Sequence, residues 1–320
     1  MQAATDAVDS VVHRLYGIRI RTPWPVRGAT AYDEPWDVEF AAGRVDTLAR
    51  AASFVPADQN SRWAQYAALP DGSAYRRWTN FFEFLVTADA RRIYARALSA
   101  VDREAMLAYL LVDALSFSMV RLGREPLHAT AVSTDRGVLA FLGNSGDGKS
   151  TLAALLLSHG CKLVTDDMLI LTRAGDRWQA QPGPPRLKLY RDMADRVLGP
   201  APESVPMNRH TTKLVIPLDP SHCATAADAL TGIYILADGA DAQRNHPVIQ
   251  RLSPAAALPR VLAHTAAHYP SEAARLKRQF EFATTLVREI PIKTIAYRRE
   301  QTEMSALRDA VLADVARRTA

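Results

Sequence analysis

Nine consecutive residues of this chain have the types and spacing to hold a polyphosphate: Gly143-Asn144-Ser145-Gly146-Asp147-Gly148-Lys149-Ser150-Thr151. The pattern is G-x-x-x-x-G-K-[ST], a phosphate-binding loop. Gly143, Gly146 and Gly148 lack a Cβ, so they reach the conformations that turn successive N–H groups inward around an anion. Lys149 adds a point charge for the β- and γ-phosphates, and Ser150 offers a hydroxyl to Mg²⁺. Asp147 is the discordant member, because a carboxylate on such a loop repels phosphate unless it points away.

A second acidic element follows. Leu163-Val164-Thr165-Asp166-Asp167-Met168-Leu169-Ile170-Leu171 is an apolar run broken by two adjacent carboxylates. Burying two such groups is costly unless they meet a cation or a proton. A metal–nucleotide supplies both: one acid holds Mg²⁺ while the other orients or deprotonates an attacking hydroxyl. His128 stands on the run leading to the loop, where a lone histidine is by itself a weak sign of function. Phosphoryl transfer also needs a cation on the developing charge, and Arg209 and Lys213, at the end of a Pro/Ser/Thr/Asn-rich stretch, are candidates. Arg186 and Lys188 would share one side of any strand formed there and could contact phosphate or an acidic peptide.

Together, LHATAV at 127–132, GNSGDGKST at 143–151 and LVTDDMLIL at 163–171 resemble the core of the HPr serine kinases and their relatives. ATP-type phosphoenolpyruvate carboxykinases share the loop and the paired acids more distantly. The resemblance is specific over about residues 125–172 and continues more weakly to about residue 300. It implies an α/β fold with a P-loop core, a mixed β-sheet, and ATP with Mg²⁺. His128 would then lie beside the phosphates, assisting the base or contacting the γ-phosphate. Asp166 and Asp167 would supply metal ligand and general base, in an order the sequence leaves open; Ser150 and Asp166 are the metal ligands expected. Thr151 stands where HPr kinases carry an acid, and their glycine-rich isoleucine–arginine signature has no counterpart, which directs the acceptor away from HPr. The HPr-kinase-like proteins encoded with peptide natural products, including kinases of the C-terminal serine of lasso precursor peptides, are closer in look. They share an N-terminal start that stands here as Arg14-Leu15-Tyr16-Gly17.

The elements that must position these groups can be read around them. Gly137 to Leu142 is a buried-strand run after an Asp135-Arg136-Gly137 turn, and Ser150 to His159 is a Leu/Ala-rich helix closed by Gly160. Strand, glycine loop and helix in that order put a helix N-terminus against the anion. Residues 169–172 and 178–181 read as a hairpin, 213–216, 230–237, 248–252 and 291–297 as strands. Helices are expected from Pro254, capped by Ser253, to His268, then from Ser271 to about Arg288, and from Thr302 onward. His264 and His268 share a helix face without an acid between them and read as structural.

Ahead of this catalytic domain (125–320), residues 1–124 read as an N-terminal α+β region with no chemistry of its own, expected to recognise the acceptor or a leader segment. Residues 15–21 (LYGIRIR) and 37–40 are strand-like, 42–76 read as loops, and 81–87 with 91–97 as a hairpin. Residues 103–122 have helical spacing ending at Gly123.

Composition bounds the function classes. The 320 residues are 48% hydrophobic with net charge +5, enough for a core and without like-charge blocks or aromatic–basic stripes, so nucleic acid is not an expected partner. Cys161 and Cys223 lack metal spacing, which fits a reducing cytoplasm. No apolar run reaches membrane-spanning length. The expected activity is an ATP- and Mg²⁺-dependent kinase acting on a serine of a peptide or small protein, in a protein compatible with homo-oligomer formation. A kinase for a small-metabolite hydroxyl and a nucleotide-binding regulator are the alternatives.

Overall fold

The computed structural model describes residues 10–199, 203–237, 247–265, 273–297 and 304–317. The chain divides between Arg124 and Glu125 into two compact units. In the first, seven strands form one mixed sheet: β1 (Val11–Leu15), β2 (Ile18–Thr22), β3 (Val38–Ala42), β4 (Ala64–Ala68), β5 (Ala74–Trp78), β6 (Phe82–Val86) and β7 (Arg92–Ala97), ordered β1-β2-β3-β7-β6-β5-β4. The single strand expected over 15–21 is instead a hairpin. Tyr16 and Gly17, at φ 57° and 72°, form a two-residue turn inside the run. A two-residue insertion keeps the period-2 pattern in phase, so the alternation hid the reversal.

Residues 42–76, expected as loops, hold α1 (Val45–Ala52), all of β4 and the start of β5. Helix α1 buries only Leu48 and Ala51, and β4 (AQYAA) is mostly alanine, so neither carries a strong apolar period. The 103–122 helix forms as expected, in three pieces: α2 (Arg103–Tyr109), a π-helical turn at Leu110–Ala114, and α3 (Leu115–Arg121). Asp102 caps its start by accepting the Glu104 N–H, and Gly123 at φ 78° ends it. The aromatic side chains of Phe82 and Phe84 are fully buried, and Tyr109 packs edge-on to Phe82.

The second unit is a mixed α/β layer structure. Its eight-stranded sheet contains β8 (Ala129–Thr134), β9 (Gly137–Leu142), β10 (Lys162–Thr165), β11 (Leu171–Ala174), β12 (Arg177–Ala180), β16 (Asp228–Ala237), β17 (Val248–Arg251) and β18 (Ile292–Ala296). Strands β9, β16 and β18 run parallel at its centre, and the remaining pairings are antiparallel. Helices cover both faces, which is why β9 and β16 read as continuous apolar runs. On one face α4 (Lys149–Leu157) and α8 (Met304–Ala316) pack with α5 (Arg191–Leu198) and a small sheet of β13 (Arg186–Tyr190), β15 (Lys213–Pro217) and β14 (Val205–Pro206). On the other lie α6 (Pro254–Ala263) and α7 (Ala273–Glu289).

Ser253 caps α6 through the Ala256 N–H, as expected. That helix ends at Ala263, short of the expected His268; His268, Ser271 and Thr302 lie outside the described residues. Strand β10 carries a bulge: its pairing with β8 shifts between Leu163 and Thr165, and the freed Val164 carbonyl accepts the Gly183 N–H at 2.7 Å. No helix among the described residues is long and apolar enough to cross a membrane.

Candidate active site

Three consecutive sheet elements converge on the glycine loop. Strand β9 delivers it, β8 and β10 flank it, and α4 leaves from it, with Gly146 at φ 93° and Gly148 at φ 86° making its turns. The Lys149 ammonium is buried and folded back over the loop, donating to the Gly143 and Asn144 carbonyls at 2.8 and 2.9 Å. Asp147 resolves its own conflict by turning inward. Its carboxylate accepts the Asn144 N–H at 2.5 Å and is buried beneath the loop rather than lining the cleft above it. The Tyr297 hydroxyl supports the same residue from below, donating to the Asp147 carbonyl.

The two aspartates leave β10 through a tight bend. Thr165 Oγ1 donates to the Met168 carbonyl at 2.7 Å, bridging the pair, and Asp167 takes the left-handed φ of 70°. A non-glycine residue held there costs on the order of 1–3 kcal/mol, a strain found mainly where function requires it. The bend sends the carboxylates different ways. Asp166 turns inward, where Oδ1 accepts Thr130 Oγ1 at 2.6 Å and Ser150 Oγ at 2.8 Å, and Oδ2 accepts the Lys188 N–H at 2.8 Å. Asp167 faces the cleft and pairs with Lys188 Nζ at 2.6 Å.

His128 completes the ring. Its backbone N–H donates to the His264 carbonyl at 2.7 Å, its ring Nδ1 lies 3.1 Å from the Asp167 carbonyl, and its Nε2 lies 3.2 Å from Lys149 Nζ. Nδ1 therefore carries the proton and Nε2 accepts from the ammonium. One cleft is thus lined by His128, Lys149, Ser150 and Asp167, with Lys188 and Lys213 opposite the loop. Ser145, Gly146, Gly148 and Thr151 also line it, whereas Gly143 and Asn144 contribute through the carbonyls that hold Lys149.

Electrostatics separate the two acids. Burial, reinforced by the neighbouring Asp167 charge, raises the Asp166 carboxyl above its ordinary value. Burial pushes Asp167 the same way, but the Lys188 ammonium and then His128 outweigh it and hold Asp167 below the usual carboxylate range. Burial lowers His128, and the adjacent Lys149 lowers it further. Lys149 is itself lowered by burial, against the opposing pull of Asp167, Asp166 and Asp147. The cleft thus presents a neutral imidazole and an ionised Asp167 at neutral pH.

The donors at this end of the cleft are oxygen atoms, the type a hard cation takes. Ser150 Oγ and Asp166 Oδ1, hydrogen-bonded at 2.8 Å, are the kind of oxygen donors that Mg²⁺ would take. The loop has open space at Gly146, where an added Cβ would meet nothing within 4 Å.

Of the two cations expected near the loop of 199–212, the structure brings one to the cleft. Lys213 lines it, with its ammonium 5.2 Å from the Tyr190 ring centroid. Arg209 is exposed, directs its guanidinium to His210 at 3.1 Å, and is not among the residues that line the cleft; a polar stretch gives its side chain nothing to be held by. Of Arg186 and Lys188, both buried on β13, only Lys188 lines the cleft. Thr130, on β8, went unread in the sequence, although it stands two residues after His128, the spacing that puts two side chains on one side of an extended segment. His264, read as structural, has its imidazole near enough for His128 and Lys149 to lower it beyond the effect of burial. Its signal lies in tertiary structure alone.

No family model and no curated protein matches the chain. Among solved structures it is similar to the HPr(Ser) kinase/phosphatase from Coxiella burnetii, at 10% identity and a TM-score of 0.36, over 61% of this chain and 99% of that one. A likeness so distant adds nothing to the case for function, which rests on the residues of the cleft.

Proposed function

We propose that this chain is an ATP- and Mg²⁺-dependent phosphotransferase that moves the γ-phosphoryl group of ATP to a serine hydroxyl of a peptide or small protein. The observation that carries the reading is that Lys149, Ser150 and Asp167, from two segments of chain, line one cleft, with Asp166 buried behind it and bonded to Ser150. Lys149 and the loop amides hold the β- and γ-phosphates. Ser150 and Asp166 would hold Mg²⁺, which would neutralise phosphate charge when bound. The acceptor hydroxyl oxygen attacks the γ-phosphorus, the bond to the β–γ bridging oxygen breaks, and ADP leaves. The hydroxyl proton passes to Asp167. A weakly basic acceptor suffices because the transition state is loose and the proton departs late. The Lys149 ammonium, whose three donors go to Gly143, Asn144 and His128 in the unliganded cleft, exchanges at least one of these bonds for phosphate, and Lys213 faces the same cleft.

ADP release with serine-containing peptides, read together with the mass of each peptide, tests this. Wild-type protein is expected to add one phosphate to a serine. Asp167→Asn is expected to lose about 10²–10⁴-fold in turnover while still binding the nucleotide, the usual worth of a general base. Lys149→Met is expected to lose nucleotide binding as well. Phosphate appearing only on a small-molecule hydroxyl would keep the chemistry and replace the acceptor. Undiminished turnover in Asp167→Asn would remove the mechanism.

A further inference from the structure

A phosphate loop works only while its amides stay aimed, and a loop containing three glycines is costly to hold still. In this chain the bracing comes from the far end of the sequence. Tyr297 follows β18, buried at 5% exposure, and its hydroxyl donates to the carbonyl of Asp147, 150 residues away. A second, independent feature marks the same contact. A Cβ at Gly148 would stand 2.8 Å from the Tyr297 hydroxyl and 3.8 Å from the Met304 methyl, so the loop backbone rests directly on these side chains. Met304 opens α8, which packs along α4 through Leu307, Val311 and Val315. The peptide unit that Tyr297 grips joins Asp147 to Gly148, and the next residues are Lys149 and Ser150.

From this geometry we infer that Tyr297 is a positioning residue for the phosphate site: its hydroxyl fixes the Asp147–Gly148 peptide so that the loop amides and the start of α4 face the nucleotide phosphates. The inference rests on the nucleotide-binding reading above. It acts on affinity for the phosphates and not on the chemical step. Asp147 takes part at both ends, its carboxylate holding the Asn144 amide and its carbonyl held by Tyr297, so the loop is tied to itself and to the sheet at one residue.

Tyr297→Phe removes the donor and keeps the ring. Tyr234→Phe is the control, because it deletes a comparable hydroxyl contact, to Asp314 at 2.5 Å, on the neighbouring strand β16. Dissociation constants for Mg·ATP and for inorganic pyrophosphate, which reaches only the loop, would be measured beside the denaturant midpoint of the unliganded protein. Tyr297→Phe is expected to weaken both ligands about 3- to 10-fold, the scale of one hydrogen bond, with Tyr234→Phe leaving them unmoved. Unchanged affinity in Tyr297→Phe overturns the inference, as does an equal loss in both variants, which would mean general loosening. Wild-type protein that binds neither ligand fails the reading beneath it, an outcome visible before any variant is compared.

Discussion

Asp166 and Asp167 are neighbours in the chain and opposites in chemistry. Asp166 accepts three hydrogen bonds in a buried corner, while Asp167 sits on the cleft wall against an ammonium. Lys188 touches both, through its backbone to one and its side chain to the other, so it separates their roles. This gives a pH prediction whose sign is fixed. On the proposed mechanism Asp167 must be ionised to act as base, and the Lys188 ammonium holds its carboxyl low. Lys188→Met removes that charge, Asp167 then binds a proton more readily, and the acid limb of kcat/KM is expected to move to higher pH. Lys188→Arg, which keeps the charge, is expected to leave the limb near its original place. An acid limb unmoved in Lys188→Met would separate Asp167 from the rate. At this scale the sequence was informative wherever chemistry is written locally: the loop glycines, Lys149, Ser150 and the adjacent acids. It said little about Thr130, His264 or Tyr297, whose types are ordinary and whose positions matter only once β8, α6 and β18 are packed.

Elements show the same division between local and non-local information. The strand–loop–helix around the phosphate site, the 82–97 hairpin and the helices from Arg103 and Pro254 carry their signals in apolar period, cap residue and terminating glycine. Strand β4 does not, because an alanine-rich edge strand buries too little to leave a pattern, and helix α1 buries only Leu48 and Ala51. The β8–β9 hairpin offers a test at this scale, away from the cleft. Gly137 opens β9 at φ 97°, and a Cβ there would stand 2.6 Å from Thr231 Cγ2 and 2.7 Å from the Ala229 carbonyl, both on β16. Gly137→Ala is expected to cost roughly 1–3 kcal/mol in denaturant unfolding, from the strained φ alone, with the β16 contact adding to it. An unchanged midpoint would show that β9 and β16 can part at that end without loss.

At the scale of the whole molecule, histidines set a pH limit. His13, His128 and His264 are each pushed by burial below the ordinary imidazole value of 6.5. His13 is bonded as the neutral ring, with Nε2 accepting the Val26 N–H at 3.0 Å and Nδ1 facing the Thr30 carbonyl at 2.9 Å. Because the folded pKa lies below the unfolded one, the unfolded chain binds more protons in the interval between them. These groups therefore destabilise the folded state as pH falls from about 6.5 toward their folded values. The melting temperature is expected to drop between pH 7.5 and 5.5, and His13→Gln to flatten part of that slope. A slope unaltered by His13→Gln would assign the acid sensitivity to the other two rings.

The bulge in β10 carries a consequence for how this stretch can vary. Side chains on a strand alternate, so the one extra residue near Val164 decides how Thr165 faces and where the bend carrying the two carboxylates begins. Letters there can change, apolar for apolar, with modest effect. The spacing cannot, because inserting or deleting one residue between Leu163 and Thr165 would shift the bend, and with it Asp166, away from Thr130 and Ser150. Variants of this chain that keep those bonds should therefore tolerate rewriting of the segment but not a change of its length.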